Sequence, residues 1–269
     1  MFYRLFLFST LTTFTVLSQN VVVCPEYFNT NGYINDLGLL SDSVSWNNVQ
    51  TIDGVCHTYT NVFESEGIYD TRMRVYEADN LIIFTFRPTQ QNDEAGKIHV
   101  ERRLVPVDFF NGTGFVNDRM QQGFKSLTKN FPYEIIGNKT VLMSSHSLGA
   151  SFTQFMMVYL QEVLNITTKL SIGLAGPFIG DKYFYDLYQS RFKNNNLTIW
   201  WQVETIEIDN PSNFDGTIEG YNVPFSPFLF IAENAICGLD ITVQPNTYGM
   251  HDIINYRSAL VGNECSFLT

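Results

Sequence analysis

The stretch KTVLMSSHSLGASFTQFMMVYLQEVL, from Lys139 to Leu164, changes character at Ser147. Before the serine, TVLMSS (Thr140 to Ser145) is a run of β-formers; after it, Ala150 to Leu164 is apolar almost all round, the pattern of a buried helix. A serine hydroxyl is a poor nucleophile until a base removes its proton, and it must protrude to reach a carbonyl. A sharp turn from strand into helix achieves this, provided the residues two positions either side are small enough for strand and helix to approach. Here those neighbours are Ser145 and Gly149. The helix that follows also turns its first N–H groups toward an anion forming at the serine. The stretch therefore reads as a nucleophile elbow of the G-x-S-x-G type, with Ser145 in place of the first glycine. A helix-capping serine is the alternative, and the strand before and buried helix after favour the elbow.

Working outward, LIIFTF (Leu81 to Phe86), LSIGLAG (Leu170 to Gly176) and IWWQVETIEI (Ile199 to Ile208) read as further strands, and NDRMQQGFKSLTKNF (Asn117 to Phe131) as an amphipathic helix. Near-continuous apolar strands alternating with helices indicate an α/β protein with a parallel sheet covered on both faces. No repeat, low-complexity tract or linker divides the chain, so residues 19–269 read as one domain.

The preceding segment, MFYRLFLFSTLTTFTVLSQN, has one basic residue, Arg4, then an apolar run from Leu5 to Leu17 and small-tolerant positions at Val16 and Ser18. This is the pattern of a secretory signal peptide over residues 1–18; the apolar run falls short of the ~20 residues a spanning helix needs, and no later run reaches that length. Secretion agrees with N-x-S/T sequons at Asn111, Asn138, Asn165 and Asn196. It also agrees with an even set of cysteines, Cys24, Cys56, Cys237 and Cys265, none in a C-x-x-C pair, which points to disulfides over a metal site. Of the possible connectivities, Cys24 with Cys56 and Cys237 with Cys265 close the shorter loops. The formal net charge of −11, without clustered Lys and Arg, argues against a nucleic-acid partner and gives no attraction to an anionic membrane.

At this point the motifs resemble a known family. SHSLGAS is similar to the GHSLGGA elbow of the class 3 (fungal-type) lipases, a branch of the α/β-hydrolases. IIFTFRPT resembles that family's strand ending in FRGT or FRGS, LVPVDFFNGTGFVNDRMQQGF its VPV…G-x-V-H-x-GF segment, and GPFIGDKYF its G-x-PRVGN-x-x-F block. The blocks fall in the family's order between Leu81 and Tyr183. The resemblance implies an α/β-hydrolase fold, with a mostly parallel sheet covered by helices on both faces, and a Ser, Asp, His triad in that chain order. Ser147 is then the nucleophile. Of the four histidines, His57, His99 and His146 precede the serine, and His251 in YGMHDIINY stands near the carboxy terminus, where the family places its base. The acid is expected in the loop after IWWQVETIEI; Asp209 is the first beyond that strand, with Asp215 and Glu207 as competitors. The oxyanion hole implied is the backbone N–H of Leu148 together with Thr89, which ends FRPT; Pro88 replaces the family's glycine and stiffens the adjoining backbone. No metal or organic cofactor is implied.

The family's lid corresponds to QQNDEAGKIHVERRL, Gln90 to Leu104, which here contains no aromatic residue. The phenylalanine-rich stretch from Tyr221 to Ile236 reads either as an acyl-pocket wall or as packed core. The expected function is that of a secreted, extracellular carboxylic ester hydrolase acting on acylglycerols, with a lipid–water interface as a possible partner. Alternatives on the same fold are a phospholipase, a short-chain esterase, or a secreted binding protein that has lost activity.

Overall fold

A computed structural model describes residues 31–88, 103–109, 114–174, 179–181, 183–184, 188 and 198–202, and the short strand segments 217–218, 221–222, 230–231, 235–236 and 266–267. The chain enters through helix α1 (Asn31–Ser43), then strands β1 (Thr51–Asp53), β2 (Thr58–Glu66), β3 (Arg72–Ala78) and β4 (Leu81–Phe86). A small antiparallel pair, β5 (Leu104–Pro106) and β6 (Phe115–Asn117), leads into α2 (Asp118–Thr128). Then come β7 (Thr140–His146), α3 (Leu148–Leu164), β8 (Thr168–Leu174) and β9 (Thr198–Gln202).

The main sheet runs β1-β2-β3-β4-β7-β8-β9 and closes on the short strand at 230–231. It is mixed. The parallel character expected from the sequence holds for β4, β7, β8 and β9, whereas β1 to β4 form an antiparallel meander and the segment at 230–231 pairs antiparallel with β9. The physical reason lies in the connections. Short turns join β1 through β4, which permits only antiparallel neighbours, while a helix-containing crossover separates each parallel pair on either side of β7.

Helices cover both faces. β4 is buried throughout, and its side chains alternate between two cores. Ile82, Phe84 and Phe86 join Val141 and Met143 of β7 beneath α2 and α3, where Phe124, Phe152 and Phe155 pack. Leu81 and Ile83 face the other way, onto Leu37 and Leu40 of α1 with Leu142 and Leu170. β7 is therefore apolar on both sides over Val141, Leu142 and Met143, and carries buried polar residues, Ser144, Ser145 and His146, before it reaches Ser147. Asn117 caps α2, its side-chain oxygen accepting the Met120 N–H at 3.0 Å. Asn165 ends α3 in a left-handed conformation (φ 55°, ψ 37°), which asparagine tolerates better than most residues. Among the described residues no helix is long and apolar enough to cross a membrane.

Buried polar groups tie α1 to the sheet. Asp36 accepts hydrogen bonds from the N–H of Val55 and Cys56 and from the Tyr59 hydroxyl, at 2.5, 2.9 and 2.9 Å. Arg74 of β3, fully buried, donates to the Ser43 carbonyl at the end of α1, to the Trp46 carbonyl and to both carboxylate oxygens of Glu64. The guanidinium thus adds a charged donor at the end of α1, where the Ser43 carbonyl also accepts the Trp46 N–H at 2.9 Å. Burial alone would push the Glu64 carboxyl up, but the hydrogen bond and charge of Arg74, aided by Arg72, overcome it and hold the group below its ordinary value. A carboxylate with a depressed folded pKa contributes stability that is present above its unfolded pKa and lost as pH falls through the folded one. Because Glu64 is exposed, solvent screens the pair, and Glu64→Gln is expected to destabilise the protein by up to about 1 kcal/mol at neutral pH. Denaturant titrations should show that difference shrinking toward zero in acid, where wild-type Glu64 is itself protonated; a difference independent of pH would contradict the ion-pair account.

Candidate active site

The carboxy-terminal ends of β4, β7 and β8 lie along one edge of the parallel part of the sheet, where open α/β sheets place their ligands. Ser147 stands at that edge, directly between β7 and α3, with φ 55° and ψ −131°. Few non-glycine residues occupy this region, and holding one there costs on the order of 1–3 kcal/mol. The strain arises because the chain must leave a strand and enter a helix within a single residue. α3 begins at Leu148, so the Leu148 N–H belongs to the first helical turn, whose donors have no intrahelical acceptor.

Both small neighbours prove to be in contact with the same residue of β4, Phe86. A Cβ placed on Gly149 would lie 2.1 Å from the Phe86 carbonyl oxygen and 3.2 Å from the Ser145 Cβ, so only glycine fits. On the other side the Ser145 hydroxyl, fully buried, accepts the Phe86 N–H at 2.8 Å and donates to the Ser144 carbonyl at 2.7 Å. The serine that departs from the G-x-S-x-G pattern is thus accommodated with both hydrogen-bonding roles of its hydroxyl used. Beyond β4, the Arg87 N–H bonds the Arg72 carbonyl at 2.9 Å and the Arg87 guanidinium bonds the Asp70 carbonyl. Neither Phe86 nor Arg87 stood out as a site residue from sequence; the signal was Ser145 itself, a departure without a visible partner.

Ser145, Ser147, Leu148 and Gly149 stand together where β7 passes into α3. His146 ends β7 and is buried. The remaining expected residues, Thr89, Asp209 and His251 with the competitors Glu207 and Asp215, lie outside the described residues, as do the 1–18 segment, Cys24, Cys237, Cys265, Asn111, Asn196 and nearly all of the segment compared with a lid. Asn138 and Asn165 are exposed, Asn138 just ahead of β7 and Asn165 just ahead of β8. Cys56 is disulfide-bonded.

No protein-family model matches the chain, and no curated protein does. Solved structures do match. A triacylglycerol lipase from Penicillium expansum is similar over 65% of this chain and 70% of its own, at a TM-score of 0.52 and 15% identity. Lipase II from Rhizopus niveus covers 68% of this chain and 77% of its own, at a TM-score of 0.53 and 15% identity. A lipase from Rhizopus microsporus var. chinensis covers 69% and 71%, at a TM-score of 0.53 and 15% identity. The chain has the fold of the fungal lipases. This is the α/β-hydrolase fold, and at such identity the likeness reaches the fold alone; chemistry has to be argued from the site. What this lipase fold supplies here is a strained serine at the end of a central parallel strand, heading a buried helix.

Proposed function

We propose that this chain is a secreted serine hydrolase of carboxylic esters, with acylglycerols as its substrates. The observation that carries the reading is the backbone of Ser147, held at positive φ between β7 and α3 with Gly149 seated against Phe86. Strain of this kind persists where surrounding structure over-determines it, and it gathers at functional sites. A capping serine needs no such conformation, and the Ser147 side chain makes no capping hydrogen bond.

In this reading Ser147 Oγ attacks the ester carbonyl while His251 takes its proton, and Asp209 holds the imidazole and stabilises its cation. The oxyanion formed accepts hydrogen bonds from the N–H groups of Leu148 and Thr89, each worth ~100 to ~1000-fold in turnover. Collapse of the tetrahedral intermediate breaks the carbon–oxygen bond, His251 returns the proton to the departing alcohol, and water then releases the acyl group by the same steps. The chain has no need of a metal or organic cofactor for this chemistry. Residues 1–18 are read as a signal peptide, 19–269 as one domain, Cys24–Cys56 and Cys237–Cys265 as its disulfides, and the four sequons as glycan acceptors, all consistent with an extracellular product.

Asp209→Ala is expected to lower kcat by about 10⁴-fold, the scale at which loss of the orienting acid acts elsewhere. A purified variant with wild-type turnover, alongside an inactive Asp215→Ala or Glu207→Ala, would move the third role to that residue. Acyl-length profiling separates the substrate classes. A lipase favours long chains presented as emulsion, whereas activity peaking on short soluble esters would favour the esterase reading, which the absence of aromatic residues between Gln90 and Leu104 supports.

A further inference from the structure

We infer that Ser145 is a positioning residue, whose hydroxyl fixes the end of β4 against the nucleophile turn; this rests on the reading of Ser147 as a nucleophile. The parallel ladder between β4 and β7 runs from Leu81 opposite Thr140 to Phe84 opposite Met143. Beyond that point the strands continue, but the Phe86 N–H is taken by the Ser145 side chain at 2.8 Å. The next N–H, that of Arg87, turns to the opposite side and bonds the Arg72 carbonyl of β3 at 2.9 Å. The end of β4 is thus anchored to both neighbouring strands, and on the β7 side the anchor is a side chain.

The same residue is approached through its carbonyl. The Phe86 carbonyl oxygen approaches Gly149 so closely that a Cβ there would stand 2.1 Å away. Ser145 and Gly149 flank Ser147, so the two residues bracketing the nucleophile both pack on Phe86 of β4, one at its N–H and one at its carbonyl. Glycine at position 145 would leave that N–H without this acceptor. A hydroxyl that also donates, to the Ser144 carbonyl at 2.7 Å, is held in a single orientation. Phe86 is followed after a few residues by Thr89, read as an oxyanion donor. A shift in the end of β4 moves the backbone packed beside Ser147 and the start of the segment that leads to Thr89, and a misplacement of about 1 Å at a catalytic group is enough to cost ~100-fold. The consequence falls on the tetrahedral state and leaves ground-state ester binding alone.

The test compares Ser145→Ala with the wild-type protein. Active sites are counted with an alkyl phosphonate, kcat and KM are measured on a soluble p-nitrophenyl ester, and Ki is measured for an alkylboronic acid, whose adduct with serine is tetrahedral and anionic. The expected result is a full count of active sites, kcat lowered about 10 to 100-fold, KM within about 3-fold of wild type, and Ki raised in proportion to the loss in kcat/KM. A smaller count of sites with unchanged kcat per site and unchanged Ki would mean a merely structural role and overturn the inference, as would wild-type kcat. Should Ser145→Ala fail to fold, Ser145→Cys, similar in shape with a weak acceptor, is read in the same way: kcat per site equal to wild type overturns the inference, and a reduced kcat with raised Ki supports it. If the wild-type protein neither hydrolyses the ester nor takes the phosphonate, the hydrolase reading fails and this inference with it; an active wild type with an unaffected Ser145→Ala removes this inference alone.

Discussion

Replacing Ser147 by alanine is expected to reduce ester hydrolysis by on the order of 10⁶-fold, the loss seen when a serine hydrolase is deprived of its nucleophile. The folded protein should survive, because alanine keeps the Cβ and the turn is held by its neighbours. Ser147→Gly should be equally inactive yet more stable than Ser147→Ala. At φ 55° and ψ −131° a side chain costs on the order of 1–3 kcal/mol, which glycine does not incur. Glycine loses more backbone freedom on folding, about 0.5–1 kcal/mol, so the net gain expected is about 1 kcal/mol. Denaturant midpoints of the two variants measure it. Retained turnover in purified Ser147→Ala would remove the nucleophile assignment, and a Ser147→Gly variant less stable than Ser147→Ala by about 0.5–1 kcal/mol would mean that the turn stores no strain.

Gly149→Ala is expected to have the second largest effect. The added Cβ would meet the carbonyl oxygen of Phe86 at 2.1 Å and its carbon at 2.8 Å. These are backbone atoms, so no side-chain rotation relieves the overlap, and either β4 or α3 must move. Overpacking of this kind costs typically 1–3 kcal/mol and occasionally more. A loss of about 3 kcal/mol is expected, together with at least ~100-fold in kcat/KM, because the displacement falls beside Ser147, the proposed nucleophile. A stability within about 0.5 kcal/mol of wild type would show that the approach of α3 to β4 is looser than the geometry states.

These effects meet where the sequence was most legible. LIIFTF coincides with β4 and TVLMSS with all but the last residue of β7, since strands buried on both faces are continuous apolar runs. α3 was legible for the same reason, and its start at Leu148 follows from the elbow. The antiparallel half was not. β2 alternates half-buried and exposed positions through polar residues such as Thr60, Asn61 and Glu64, giving a weak apolar signal. α1 contains Gly32, Asn35 and Gly38, poor helix formers, and depends on the packing of Leu37 and Leu40 and on the contacts of Asp36 and Arg74, which arise only in the folded chain. Ser145 marks the limit within the site. Its departure from glycine is plain in the sequence, but its partner, Phe86, is 59 residues away and visible only once β4 lies beside β7.

Labelling of the purified protein with a fluorescent alkyl phosphonate, followed by peptide mapping, asks directly whether Ser147 is a nucleophile. One labelled peptide is expected, carrying the adduct on Ser147, and none in Ser147→Ala or after unfolding. Folded wild-type protein that takes no label, or takes it on another residue, would contradict it.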